Sequence, residues 1–123
     1  MPENSETRIL VVDDERPIVQ LLRLSLERQG YRVLTAFDGR EALDVLDREA
    51  VDLMVLDWMM PYVDGLEVLQ TVRRDPALAH LKIIMLSTLT QDEDIARGTQ
   101  EGADRYLAKP FDPKELYRVI RDL

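Results

Sequence analysis

Four places in this 123-residue sequence carry side chains that can do chemistry together: Asp13-Asp14-Glu15, the single acid Asp57, the hydroxyl pair Ser87-Thr88, and Lys109 followed by Pro110. Carboxylates gathered within a few ångströms repel. At an effective dielectric near 20, each pair about 4 Å apart costs on the order of 4 kcal/mol unless a cation intervenes. The chain has no cysteine and a single histidine, His80, so an ion held among these acids would meet only oxygen ligands. That donor set suits Mg²⁺ first and Mn²⁺ second. A carboxylate beside such an ion and a lysine is also a nucleophile towards phosphorus, forming an acyl phosphate while the cations neutralise the phosphoryl oxygens. In this chemistry Lys109 supplies a fixed positive charge and Ser87 a hydroxyl donor. The backbone amides of Trp58 and Thr88 lie where they would add further hydrogen bonds.

Each of these residues alone has an ordinary explanation, as a helix cap, a loop acid, a turn hydroxyl or a solvated charge. Their weight comes from the elements that would gather them. Five short apolar runs, Ile9–Val12, Val33–Ala36, Leu53–Leu56, Ile83–Leu86 and Tyr106–Ala108, have the β-branched, near-continuous apolarity of strands covered on both faces of a parallel sheet. Helical spacing fills the gaps. Pro17 opens a helix carrying Ile18, Leu21 and Leu22 that stops at Gly30; Ala42, Leu43 and Leu46 mark a second, and Leu66, Leu69 and Val72 a third that ends at Asp75-Pro76. Asp112 and Pro113 cap a last helix with Leu116, Val119, Ile120 and Leu123 on its apolar side. The fourth, from about Gln91 to Glu101, has little beyond Ile95, Ala96 and Thr99 to bury. It also contains Gly98, at a helix cost of about 1 kcal/mol. It is predicted to be the weakest helix and the easiest to reposition. This order predicts a three-layer α/β domain whose crevice lies at the carboxyl ends of its strands. All four reactive positions fall there.

The remaining composition narrows the function. With 46% hydrophobic and 33% charged residues there is material for one core and a polar surface. Sixteen Lys plus Arg against twenty-four Asp plus Glu leave a net charge of −8, so nucleic-acid binding by this domain would work against its overall field. No apolar run approaches the ~18 residues that span a bilayer, and the polar start, Met1 to Thr7, has no signal-peptide apolar region.

The motifs Ile9-Leu10-Val11-Val12-Asp13-Asp14-Glu15, Leu53-Met54-Val55-Leu56-Asp57-Trp58-Met59-Met60-Pro61 with Asp64-Gly65 after it, Leu86-Ser87, and Gly102-Ala103-Asp104-Arg105-Tyr106-Leu107-Ala108-Lys109-Pro110-Phe111 occur in order. Together they resemble the response-regulator receiver domains of two-component signalling, over Arg8 to Leu123. The resemblance implies a flavodoxin-like (βα)5 fold with a five-stranded parallel sheet of order 2-1-3-4-5. Residues 8–123 would form the receiver domain and residues 1–7 a short flexible tail. It implies that Asp57 is the phosphoacceptor, taking its phosphoryl group from the phosphohistidine of a sensor histidine kinase or phosphotransfer protein. Mg²⁺ would be held by Asp14, Asp57 and the backbone carbonyl of Met59, with Asp13 acting through water. Ser87 and Lys109 would bind the phosphoryl oxygens, and the Lys109-Pro110 peptide would be cis.

Switching is implied as well. A phosphoryl group adds about −1.5 to −2 charge, which would draw the Ser87 hydroxyl inward and let Tyr106 follow. That movement would reshape the face of the fourth helix, fifth strand and fifth helix, where a downstream protein or output domain docks. A cytoplasmic protein without membrane or direct nucleic-acid contact is expected, catalysing only its own phosphorylation and dephosphorylation. In motif style the chain is most similar to receivers of winged-helix transcription factors, which dimerise through charges on that same face. Ile95, Arg105 and Val119 stand where an Arg, an Asp and an Arg are usual, so dimerisation is left open. Thr88 is bulkier than the Ala or Gly common beside the phosphate-binding hydroxyl. Two other readings use the same residues: a Mg²⁺-dependent phosphatase or phosphotransferase, and a phosphorylation-independent scaffold. Met59, standing where such hydrolases carry an acid, opposes the first. The intact set Asp13, Asp14, Asp57, Ser87 and Lys109 opposes the second.

Overall fold

Near-continuous apolar runs become strands here because both faces of the sheet are covered. The structure, a computed structural model, describes residues 7–89 and 91–123. In chain order its elements are β1 (Arg8–Val12), α1 (Arg16–Arg28), β2 (Arg32–Ala36), α2 (Gly39–Arg48), β3 (Leu53–Asp57), α3 (Gly65–Arg74), β4 (Lys82–Ser87), α4 (Asp92–Gln100), β5 (Arg105–Ala108) and α5 (Pro113–Asp122). All five strands are parallel, in the order β2-β1-β3-β4-β5. Alternate side chains enter opposite cores, as the pleat requires. Leu10, Val12, Met54, Leu56, Ile83 and Met85 pack with α2 and α3. Ile9, Val11, Leu53, Val55, Ile84 and Leu86 pack with α1 and α5. Each fully buried Leu or Ile contributes about 1.5–3 kcal/mol, so these two cores set the register that aligns the strand ends.

Local signals fix where the helices begin and stop. Asp38 and Asp64 cap α2 and α3 by accepting from the amides of Glu41 and Glu67. At α5, Asp112 and Glu115 form a reciprocal capping box with Pro113 in the first turn. Gly30 follows α1 with φ 95°, a conformation that suits glycine. The predicted expectation that residues 1–7 form a tail falls largely on residues 1–6, outside the described residues. The Thr7 carbonyl accepts the Arg32 amide at 3.0 Å.

The buried faces differ from the sequence expectation in several helices: Val45 in α2 and Val68 in α3 are buried while Leu43 and Leu66 are half-buried, and α1 and α4 differ more. In α1 the core takes Val19, Leu22 and Leu26, and Leu21 is 55% exposed. In α4 the buried residue is Gly98, with Ile95 half-buried and Ala96 and Thr99 exposed. Gly98 is buried because aromatic rings lie against it, as described below.

Candidate functional site

β1 and β3 pair Val12 with Leu56, and β3 and β4 pair Asp57 with Leu86. The residues that end these strands are thereby set side by side. Asp13 follows β1 with its amide donating to the Ala36 carbonyl. Asp57 ends β3, Ser87 ends β4, and the Lys109 amide after β5 donates to the Ser87 carbonyl at 2.8 Å. Ligand oxygens of Asp13, Asp14 and Asp57 lie within 4.8 Å of one another, a grouping able to hold a metal ion. Asp13 is wholly buried, Asp57 is 3% exposed, and Asp14 faces solvent.

Lys109 crosses this acidic floor. Its Nζ lies 2.8 Å from Asp13 Oδ2 and 3.1 Å from Asp57 Oδ1, with Glu15 farther away at 4.0 Å. Asp13 Oδ1 accepts the Glu15 amide at 2.9 Å, so both Asp13 oxygens are engaged by the protein. Asp57 is less well neutralised. Burial, then the neighbouring Asp13 charge, push its carboxyl up to about 6 against the opposing pull of Lys109. Burial alone would lower the Lys109 ammonium, but its carboxylate partners outweigh that and raise it. The pocket thus presents a fixed cation beside an incompletely neutralised carboxyl group, and the grouped oxygens of Asp13, Asp14 and Asp57 could hold a second cation. The donor set, three carboxylates and backbone carbonyls, fits a hard divalent ion.

Ser87 is wholly buried, and its Oγ accepts the Leu89 amide at 2.9 Å. The carbonyl of the same Leu89 accepts the Tyr106 hydroxyl at 2.7 Å. The Tyr106 ring meets Trp58 edge to face, with centroids 6.1 Å apart and planes at 76°. Burial raises the Tyr106 phenol, with the Ser87 hydroxyl pulling the other way, so it serves as a neutral donor.

The structure brings together Asp13, Asp14, Asp57 and Lys109, and sets Ser87 one strand away. The Lys109-Pro110 peptide is cis. One expectation changes. The Trp58 amide donates to the Leu86 carbonyl at 2.9 Å; strand pairing extends one residue past β3 and uses that donor, so it is not offered to the pocket. The Met59 side chain is 57% exposed. His80 is exposed, with Nε2 3.3 Å from the Val51 carbonyl, in a loop away from the acids.

Sequence reasoning missed Gly65 and an apolar rim. A Cβ at Gly65 would stand 2.2 Å from the Asp57 carbonyl oxygen, so α3 seats against the Asp57 backbone only because this residue is glycine. Asp64-Gly65 in the sequence was the available signal. Next to Lys109, a groove of about 330 Å³ is lined by Ile18, Leu21, Thr88, Pro110, Phe111 and Pro113, among others. Nothing in local spacing indicates that α1 and the segment after β5 meet there. No helix among the described residues is long and apolar enough to cross a membrane.

Comparison with known proteins agrees with this geometry. The family described as response regulator receiver domain matches residues 9–121. The alkaline phosphatase synthesis transcriptional regulatory protein PhoP of Bacillus subtilis is 47% identical over 114 residues, covering 93% of this chain and 47% of that protein. The chain spans about half the length of the curated relatives it matches. Among solved structures, a Francisella response regulator 1452 receiver domain superposes with a TM-score of 0.89 at 36% identity, covering 95% of both chains. A BeF3-activated DrrB receiver domain has a TM-score of 0.82 at 35% identity, covering 94% of this chain and 95% of that one.

Proposed function

The chain belongs to the response-regulator receiver family and is a phosphorylation-activated signalling domain, and from that premise we propose that Asp57 is its phosphoacceptor. The observation that carries this is the position of Asp57: nearly buried, bound by one lysine, and incompletely neutralised. An Asp57 oxygen attacks the phosphorus of a phosphohistidine protonated on its other ring nitrogen; the O–P bond forms as the N–P bond breaks, and the electron pair of that bond leaves on a neutral imidazole that keeps its proton. Lys109 steadies the phosphoryl oxygens. Ser87 adds a hydroxyl and Thr88 an amide, while the Trp58 amide stays in the sheet. Asp14, Asp57 and the Met59 carbonyl would hold Mg²⁺, with Mn²⁺ a substitute and Asp13 acting through water. When bound, the ion supplies positive charge that neutralises the acids and the transferring group.

The phosphohistidine belongs to a histidine kinase or phosphotransfer protein. The apolar groove of Ile18, Leu21, Pro110 and Phe111 borders Lys109, and this supports docking of an amphipathic donor surface there, which would exclude water from the reacting atoms. Receiver domains act on their own phosphorylation and not as general enzymes. Phosphorylation moves Ser87 and Tyr106 and so alters the α4-β5-α5 face towards an output domain. Kinship with a transcriptional regulator supports transcription as the output.

Intact mass after incubation with Mg²⁺ and a small acyl-phosphate donor tests this reading. The native chain gains one phosphoryl group and Asp57→Asn gains none. Equal gain by both proteins, or none by the native chain with either a donor or a cognate kinase, would overturn it.

A further inference from the structure

Gly98, the buried residue of α4, is covered by aromatic rings. A Cβ built there would stand 3.3 Å from Cδ2 and Cε2 of Tyr106 and 3.8 Å from Cζ3 of Trp58. The first distance is shorter than a relaxed carbon contact of about 3.5–4.0 Å. The Tyr106 ring is fixed on its other sides, by its hydroxyl on the Leu89 carbonyl and by its edge-to-face meeting with Trp58. Trp58 directly follows Asp57, and the Leu89 amide bonds Ser87 Oγ. Both segments that hold the ring therefore grow out of the acidic pocket. On its far side the ring touches α4 at the one place where α4 has no side chain.

We infer that Gly98 is the notch through which α4 registers the position of Tyr106, an assignment that rests on reading Asp57, Ser87 and Tyr106 as one switch. With a methyl group at position 98, the ring and the seated α4 must separate by a few tenths of an ångström. A side chain there lifts the helix or pushes the ring outward, and either movement alters the α4-β5-α5 face. Little else buried holds α4 down, so a few tenths of an ångström at this contact can move a whole helix. Gly98 is a positioning residue: it touches no reacting atom and acts through Tyr106. Helix propensity makes the opposite prediction, because Ala in place of a helical Gly normally stabilises.

A double-mutant cycle on the full chain separates the two. Amide hydrogen exchange over Asp92–Gln100 and acrylamide quenching of Trp58 fluorescence are measured for the native protein, Gly98→Ala, Tyr106→Ala and the double variant. Tyr106→Thr, which retains strand preference, replaces Tyr106→Ala if that protein unfolds. With Tyr106 present, Gly98→Ala is expected to speed α4 exchange by roughly fivefold or more, the scale of mild overpacking, and to open Trp58 to quencher. With the ring removed, the same substitution is expected to slow exchange, by up to about fivefold through propensity. Slower exchange in both backgrounds, or no dependence on the ring, would overturn the inference. None of these measurements needs a phosphodonor, so they decide the role of Gly98 separately from the mass experiment that decides the role of Asp57.

Discussion

Lys109 serves two buried acids at once, and they do not benefit equally. Asp13 receives the shorter contact together with the Glu15 amide. Asp57 receives the longer one and faces the Asp13 charge. The consequence for stability has a definite sign. The folded-state pKa of Asp57, about 6, lies above its unfolded value of about 3.9. Its contribution is therefore fully present below pH ~4 and is lost as pH rises through about 6. Without divalent ion, Asp57→Asn is expected to be more stable than the native chain at pH 8 by on the order of 1–3 kcal/mol, an advantage that vanishes near pH 4. Urea unfolding at the two pH values checks this, and an equal effect at both would refute it. Removing the cation has the opposite effect. Lys109→Met leaves the wholly buried Asp13 without its charge partner and is expected to destabilise by about 3–5 kcal/mol at pH 7. Addition of Asp57→Asn should recover part of that loss, because one of the two stranded charges is gone.

Elements differ in how visible their roles are in sequence. The strands and the ends of the helices were legible, because strand burial on two faces leaves long apolar runs and caps are carried by particular residues such as Asp112 and Gly30. The α1 face was not. Ile18, Val19, Leu21, Leu22, Leu24 and Leu26 occupy more of the helix than one sheet can cover, so spacing cannot say that Leu21 and Leu24 stay exposed. Gly98 was invisible for a different reason: counting apolar side chains cannot find a residue buried for lack of one. The Trp58 amide was misplaced because one extra pairing beyond a strand leaves no mark on composition. For the site, Asp13, Asp14, Asp57, Ser87 and Lys109 were legible as strand-end polar residues, whereas the Leu89 backbone link between Ser87 and Tyr106 has no side-chain signature. Gly65 and Gly98, two of the four glycines at which a Cβ would be crowded, give a comparison between elements. At Gly65 a Cβ meets the Asp57 carbonyl and the Trp58 Cα, at 2.2 and 2.7 Å, and backbone cannot yield. At Gly98 it meets a ring edge at 3.3 Å. Gly65→Ala should cost about 3 kcal/mol or more, seen as a lower urea midpoint with reduced phosphoryl uptake. Gly98→Ala should unfold at nearly the native midpoint.

Across the whole molecule, two hydrophobic cores hold a rigid sheet while the functional charges crowd one edge of it. A cavity of about 510 Å³ lined by Thr7, Tyr31, Lys82 and Arg121 lies at the opposite ends of the strands, so the largest opening among those described is not where the chemistry is. The chain as a whole carries −8, and its acidic pocket adds local repulsion that folding must overcome. A divalent ion that binds the folded pocket and not the unfolded chain adds stability by mass action, about 2.7 kcal/mol at a hundredfold excess over its dissociation constant. For a domain of this size that corresponds to a rise in Tm on the order of 10 °C. Protons compete for the same carboxylate. Because Asp57 titrates at about 6, the Mg²⁺-dependent rise should be full at pH 7.5, sharply smaller at pH 5, and reduced at both values in Asp57→Asn. Thermal melts with Mg²⁺, with Mn²⁺, and with NaCl matched for ionic strength separate site binding from general screening, which weakens repulsion between exposed charges without choosing an ion. A rise that NaCl reproduces, or that is the same at pH 5 and 7.5, would mean that the clustered carboxylates do not bind the ion together.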